Sequence, residues 1–453
     1  MFFTLSLLLF LIQTIQADYC QAPIPQYVPV PTGYKIRFVQ TLVRHGDRTP
    51  FNSYFGDDAE YHCNATILSS IRANPSMDRA GETQRINVID RKTNPFAKRY
   101  FWKGDCEVTQ LTIEGIQQQH NLGKYQREKY LKMGLIPEYY DGKKIFIRST
   151  ERSRTLQSSQ AFTQTFYPSY SRKNDEIINI YVLPLQVEFM FPNRILCDKI
   201  AIEEQNTYNI KEVAETRAKV KDIEEKFIRI LGFRSKHPWL EDYVELMQCR
   251  RCHHFDFPCK NGECITQEDF DKLWYQTQFE NRYLYRADGL AQLQLGFFME
   301  DLINRADSAL NGTSEYVYEH YTGHDSTLIP FLSLIGEDVF IWPPYASHID
   351  IELYEFNPCL ADMKFDNKGN NGTNSFGIEE TIVVDEKLIG TENVMNMGKN
   401  VCKPEIYIRV VYNNDVLPLK FCKPNKDGFC KWDDYKKYMV EHAYTTFEKC
   451  RSV

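Results

Sequence analysis

Arg44, His45 and Arg48 fall within five residues of the stretch QTLVRHGDRTPF, which runs from Gln40 to Phe51. Two fixed cations and an imidazole packed that closely repel one another unless an anion lies between them, so the stretch is suited to hold a negative group. Two further stretches are alike in chemistry: RSTERSR, from Arg148 to Arg154, and TGHD, from Thr322 to Asp325. Each of the three follows a run of strand character. Ligands of open α/β sheets bind at the carboxyl ends of the strands, so Arg44, His45, Arg48, Arg154, His324 and Asp325 are expected on one rim. Three guanidinium forks there suit the oxygens of a phosphoryl group. A neutral imidazole with one nitrogen held can act as a nucleophile, and a carboxyl protonated below neutrality can protonate a leaving alcohol. Neither a metal nor a cofactor is called for. Gly46 is expected to let the backbone turn sharply beside the ligand.

The same residues carry a resemblance. Arg-His-Gly-x-Arg-x-Pro at 44–50, with His-Asp at 324–325, is similar to the signature of the histidine acid phosphatase family, which includes acid phosphatases and phytases. The resemblance implies a histidine phosphatase fold and a phosphomonoesterase activity. It makes His45 the nucleophile that forms a phosphohistidine, Arg44, Arg48, Arg154 and His324 the phosphate-binding residues, and Asp325 the proton donor. Shorter pieces, among them CEVTQLT at 106–112 and CRRCHHFDFPCKNGEC at 249–264, resemble the 2-phosphoxylose phosphatase branch. That implies a substrate on the glycosaminoglycan-protein linkage region. If so, Trp239, His253, His254, Phe255 and Trp274 are candidates for a sugar-binding wall.

Around these residues the periodicity predicts the elements that position them. Strands are expected at 34–43, 144–150 and 315–321, a helix over 111–134, another after Glu151, and helix again over 287–306 and after His324, with Pro330 in its first turn. A long amphipathic charged run, 201–231, predicts a mainly helical cap insertion at 191–281, its charged face from Glu203 to Lys226 turned to solvent. HIDIELYEF reads as a strand, and IYIRVVYNNDVLPLKFC as a hairpin turning at Asn413-Asn414-Asp415. The fold class expected is α/β: a mixed central β-sheet flanked by helices, with catalytic segments 35–190 and 282–450 and a surface insertion at 357–403. His120 and His320 are expected to pack rather than react, and Arg148 stays outside the catalytic set.

Composition bounds the remaining possibilities. The chain has 453 residues and a formal net charge of -7, so nothing in the overall balance points to nucleic acid. Residues 1–17 read as a signal peptide, and no later run is long enough for a membrane span. Thirteen cysteines and sequons at Asn64, Asn311 and Asn371 fit a secreted protein or a Golgi or lysosomal lumen. In that compartment Cys249, Cys252, Cys259 and Cys264 are expected to form disulfides rather than a zinc site, and Cys422–Cys430 and Cys359–Cys402 to pair locally. The partner expected is a phosphomonoester, including a phosphorylated glycan on a proteoglycan. Competing readings are a broad-specificity acid phosphatase, a mutase-like enzyme sharing Arg-His-Gly, and an inactive lumenal binding protein.

Overall fold

The computed structural model describes residues 19–23, 26–63, 102–173, 176–235, 239–337, 342–357 and 404–451, with the backbone of 76–77 and 83–84. The signal segment, the sequons at Asn64 and Asn371, and the Cys359–Cys402 pair lie outside them.

The central strand β1 (Tyr34–Arg44) is buried along its last seven residues. Its side chains alternate between two hydrophobic cores, as the period-2 geometry of a strand requires. Phe38 and Leu42 meet one core, while Val39 and Val43 meet the other. A strand covered on both faces reads as a continuous apolar run, and each such side chain contributes roughly 1.5–3 kcal/mol of burial. The second core is supplied by α1 (Ile113–Lys132) and α2 (Ser153–Phe166), through Leu122, Tyr130, Phe162 and Phe166. Thr112 caps α1 by accepting from the Gly115 backbone N–H, and Gly134 follows its end with φ of +67°.

Next to β1 in the sheet are β3 (Tyr318–Gly323), parallel to it, and β4 (His348–Phe356), antiparallel. β2 (Ile145–Ser149) continues the sheet beyond β3, and β5 (Glu405–Tyr412) and β6 (Asp415–Val416) extend the other side. The result is a mixed sheet with helices packed on it. The hairpin at Asn413 forms, with φ of +53° there, but its second limb is only two residues long. Pro418, which has no N–H for a ladder, follows closely. α8 (Leu290–Leu310) and α9 (Asp325–Leu334) cover the first core. Pro330 sits inside α9 rather than in its first turn, because the helix begins at Asp325.

Between α2 and α8 lie α3 (Lys199–Thr207), α4 (Lys211–Ala218), α5 (Lys221–Leu231), α6 (Glu241–Cys252) and α7 (Gln267–Leu284). The long helix expected over 201–231 is thus three helices. The first break falls at Asn206-Thr207-Tyr208-Asn209, a run of weak helix formers, and Ile210 is extended. The fold also buries Glu204 of the charged run, which was expected to face water. Disulfides join Cys20 to Cys252, Cys63 to Cys106, Cys197 to Cys450, Cys259 to Cys264 and Cys422 to Cys430, and Cys249 is a free, buried thiol. His320 packs as expected, its ring stacked 3.9 Å from that of Phe162. Arg148 is spent on the buried carboxylate of Glu188, 2.6 Å away.

Candidate active site

Strand register brings the three motifs together. Arg44 lies opposite Gly323 in the β1–β3 pair, and Ser149 lies opposite Thr322 in the β2–β3 pair. Backbone bonds carry the alignment past the strand ends: His45 N–H donates to the Gly323 carbonyl at 3.1 Å, and Thr150 N–H to the Thr322 carbonyl at 3.2 Å. His45, Arg48, Arg154, His324 and Asp325 consequently border one cavity of about 230 Å³. Arg44 does not border it and lies beneath, fully buried.

His45 has a defined tautomer. Its Nδ1 is 2.8 Å from the Gly46 carbonyl oxygen, which can only accept, so Nδ1 carries the proton and Nε2 keeps its lone pair. Burial, followed by the charges of Arg154, Arg44 and Arg48, holds the imidazole pKa well below its usual value. The ring therefore stays neutral, and nucleophilic, in acid. Gly46 makes this possible through close packing rather than an unusual turn. A Cβ there would sit 2.3 Å from the Gly115 carbonyl oxygen in α1, backbone against backbone, with no flexible group to give way. Gly46→Ala should push the loop off α1, lowering kcat/KM by about 100-fold or more, the cost of misplacing a reacting group by an ångström. Steady-state kinetics would show it, and a variant within twofold of wild type would rule that packing role out.

The cations are unequally compensated. Arg48 is paired with the Glu245 carboxylate of α6 and lies 3.8 Å from the centre of the Phe51 ring. Arg154 lies over the same ring, 5.6 Å from its centre. Among the described residues Arg154 makes no ion pair, and its Nη2 donates to His324 Nδ1 at 3.2 Å. Burial and then the charge of Arg48 press its pKa down to about 9, a frustrated cation that an anion would relieve. Because His324 Nδ1 accepts from a guanidinium, its proton resides on Nε2, which donates to Thr150 Oγ1 at 2.9 Å.

Asp325 opens α9, forms an ion pair with Arg44 (Nη2 to Oδ2, 2.8 Å) and accepts from Trp342 Nε1 at 2.9 Å and from the Ser326 backbone N–H at 2.7 Å. Burial alone would raise its pKa, but Arg44 and then the Trp342 bond hold it down at about 2. The expectation of a carboxyl protonated merely below neutrality is corrected: without substrate, Asp325 is a carboxylate through most of the acid range. Arg44 in turn donates to the Pro343 carbonyl at 2.5 Å and to Tyr19 Oη at 3.1 Å. Its guanidinium is stacked 4.3 Å from the Tyr345 ring centre.

A family model for the histidine phosphatase superfamily, branch 2, matches residues 35–376. The chain belongs to this family. This branch 2 histidine phosphatase, a phosphoric monoester hydrolase, is 31% identical to Counting factor 60 of Dictyostelium discoideum over 381 residues, covering 82% of this chain and 89% of that protein. It is 25% identical to 2-phosphoxylose phosphatase 1 of Mus musculus over 342 residues, 72% of this chain and 68% of that one. In fold it is similar to Hafnia alvei phytase in complex with myo-inositol hexakis sulphate, with a TM-score of 0.54, 13% identity and coverage of 94% and 100%.

Sequence reasoning missed several groups around the histidine phosphatase motifs. Thr150, inside RSTERSR, was visible but not singled out. Tyr19, Glu245, Trp342 and Tyr345 reach the site from other elements, and no local spacing marks them. Of the five candidates for a sugar wall, Trp239 borders the cavity and the other four do not. His253 Nε2 is 2.7 Å from Asp47 Oδ2, the Phe255 ring meets that of Tyr61, and Trp274 is stacked on Trp342. His254 is exposed at the end of α6.

Proposed function

We propose that this histidine phosphatase hydrolyses a phosphomonoester in two transfers through His45. The observation that carries the reading is the uncompensated Arg154 guanidinium bordering the same cavity as a His45 ring whose Nε2 lone pair is available. The phosphoryl oxygens fit Arg48, Arg154 and His324, with Arg44 holding the Asp325 carboxylate from behind. The ester enters as its monoanion, and its remaining proton passes to Asp325. His45 Nε2 then bonds to phosphorus as the ester P–O bond breaks. The bonding electrons go to the leaving oxygen, which takes the proton from Asp325. In the second transfer water attacks phosphorus, Asp325 takes the water's proton, and the N–P bond breaks; the released phosphate takes that proton back from Asp325, which returns to the carboxylate. The arginines stabilise the equatorial charge in both.

The substrate proposed is a sugar phosphate such as 2-phosphoxylose of the glycosaminoglycan-protein linkage region, met in the secretory pathway. Similarity to 2-phosphoxylose phosphatase 1 of mouse, rat and human supports it. So does Trp239 at the cavity wall, an aromatic surface of the kind that packs on sugars. Acid-free quenching into denaturant during turnover of a 32P-labelled monoester, followed by peptide mapping, is expected to find label on His45. Label on a serine or an aspartate would refute the mechanism. A kcat/KM for a 2-phosphoxylose oligosaccharide no higher than for p-nitrophenyl phosphate would refute the substrate.

A further inference from the structure

The cavity has two halves that differ in charge. Its floor, at the strand ends, carries Arg48 and Arg154, with the exposed Arg152 beside them at the start of α2. Its cap side carries Arg194, Glu204, Trp239, Glu241 and Glu280. Among the described residues the one lining cation there is spoken for: Arg194 Nε and Nη2 donate to the two oxygens of Glu204 at 2.7 and 2.9 Å. Glu280 takes up the neighbouring Arg217 of α4, with contacts of 3.1 and 3.2 Å. Glu241, the first residue of α6, makes no ion pair among the described residues.

We infer that the cap half of this cavity admits the alcohol of a singly phosphorylated substrate and turns away a second phosphate, with Glu204, Glu241 and Glu280 as the residues that set this choice. The inference rests on the phosphomonoesterase reading and narrows its substrate class. A phosphate brought against this wall would lose water and gain no uncompensated cation among the described residues, which is costly inside a partly enclosed cavity. Hydroxyls fare better, because carboxyl groups can both accept from them and, when protonated, donate to them. Protonation is within reach at Glu241, whose pKa burial and then the charge of Asp325 push up to about 8, while Glu204 and Glu280 are matched by Arg194 and Arg217. The wall is thus nearly neutral in acid and turns more negative as pH rises. In neither state does it attract an anion, so the choice is made by withholding a partner and, at higher pH, by repulsion.

The likeness to a phytase bound to an inositol hexakis sulphate concerns the fold, so it does not decide this question. The test compares kcat/KM at pH 5 for glucose 6-phosphate and for myo-inositol hexakisphosphate. Wild-type protein should favour the monophosphate by at least about tenfold. Glu241→Lys supplies a cation to the wall, and Glu204→Gln releases Arg194 to do the same. Each should narrow the preference by about tenfold or more. A wild type that takes both substrates equally, or two variants whose preference stays within twofold of wild type, would overturn the inference. Should Glu241→Lys fail to fold, Glu204→Gln and the wild-type ratio still decide it. Turnover of p-nitrophenyl phosphate by wild type separates the failures: if it occurs and the ratio is flat, only this inference falls, whereas no turnover removes the phosphomonoesterase reading as well.

Discussion

His45→Ala is expected to lower kcat by about 100,000-fold or more, the scale seen when a covalent nucleophile is removed. The loss should be chemical and not structural. The bonds that hold this position in place are largely made by backbone atoms: His45 N–H donates to the Gly323 carbonyl at 3.1 Å, and the His45 carbonyl accepts from Ala346 N–H at 3.1 Å. Alanine keeps both, so thermal melting should shift by no more than a few degrees. Added imidazole should restore part of the turnover by accepting the phosphoryl group in the space vacated by the ring. A residue with a purely structural role would give no such rescue. Retention of more than about 1% of wild-type kcat would exclude His45 as the nucleophile.

Asp325→Asn should separate substrates by their leaving groups. Alkyl phosphates should lose roughly 100- to 10,000-fold in kcat, the usual worth of a positioned acid. p-Nitrophenyl phosphate should lose less than about tenfold, because its phenolate needs little protonation. Asparagine can put its oxygen where Oδ2 meets Arg44 and Trp342, but it carries no charge and its NH2 would face the Ser326 N–H, so Arg44 would be left uncompensated. For wild type, kcat/KM should not follow the Asp325 pKa of about 2. It should fall above roughly pH 6, where a phosphomonoester loses the proton that the reaction uses. Equal losses on alkyl and aryl esters would reject Asp325 as the donor, and a profile flat through pH 8 would reject the substrate as the proton's source.

How far these features were legible depends on where their causes lie. β1 was readable because both its faces are buried, which leaves an unbroken apolar run ending at Arg44. The convergence of Arg44, Arg154 and His324 followed from one rule about strand ends. The reason for Gly46 was not readable, since its constraint is the backbone of α1 passing within a Cβ's reach. Glu204 reads as part of a solvated helix face, because a charged residue that lines a cavity has the same local pattern as one in water, and nothing in the sequence singles out Glu241. The hold of Arg44 and Trp342 on Asp325 was invisible for a similar reason. It depends on a tryptophan 17 residues along the chain and an arginine on another strand. The expectation of a carboxyl protonated below neutrality therefore falls short at the step from residue type to environment, since Trp342 adds to the pull of the arginines.

The buried guanidinium of Arg44 sets an order of events during synthesis. Its partners are Tyr19, Asp325 and the carbonyl of Pro343, which lie on both sides of it in the chain. Tyr19 emerges from the ribosome before Arg44, but Asp325 and Pro343 follow only after the whole helical segment between β2 and β3 has been made. Until then the nascent chain holds a cation that cannot be left dry and unpaired, so the amino-terminal end of the sheet should stay open to water or to a chaperone. Catalytic competence is thus tied to late translation: a chain stalled before residue 325 would carry the nucleophile, both phosphate-clamp arginines and the first three sheet strands, yet have neither the acid nor a closed floor beneath it.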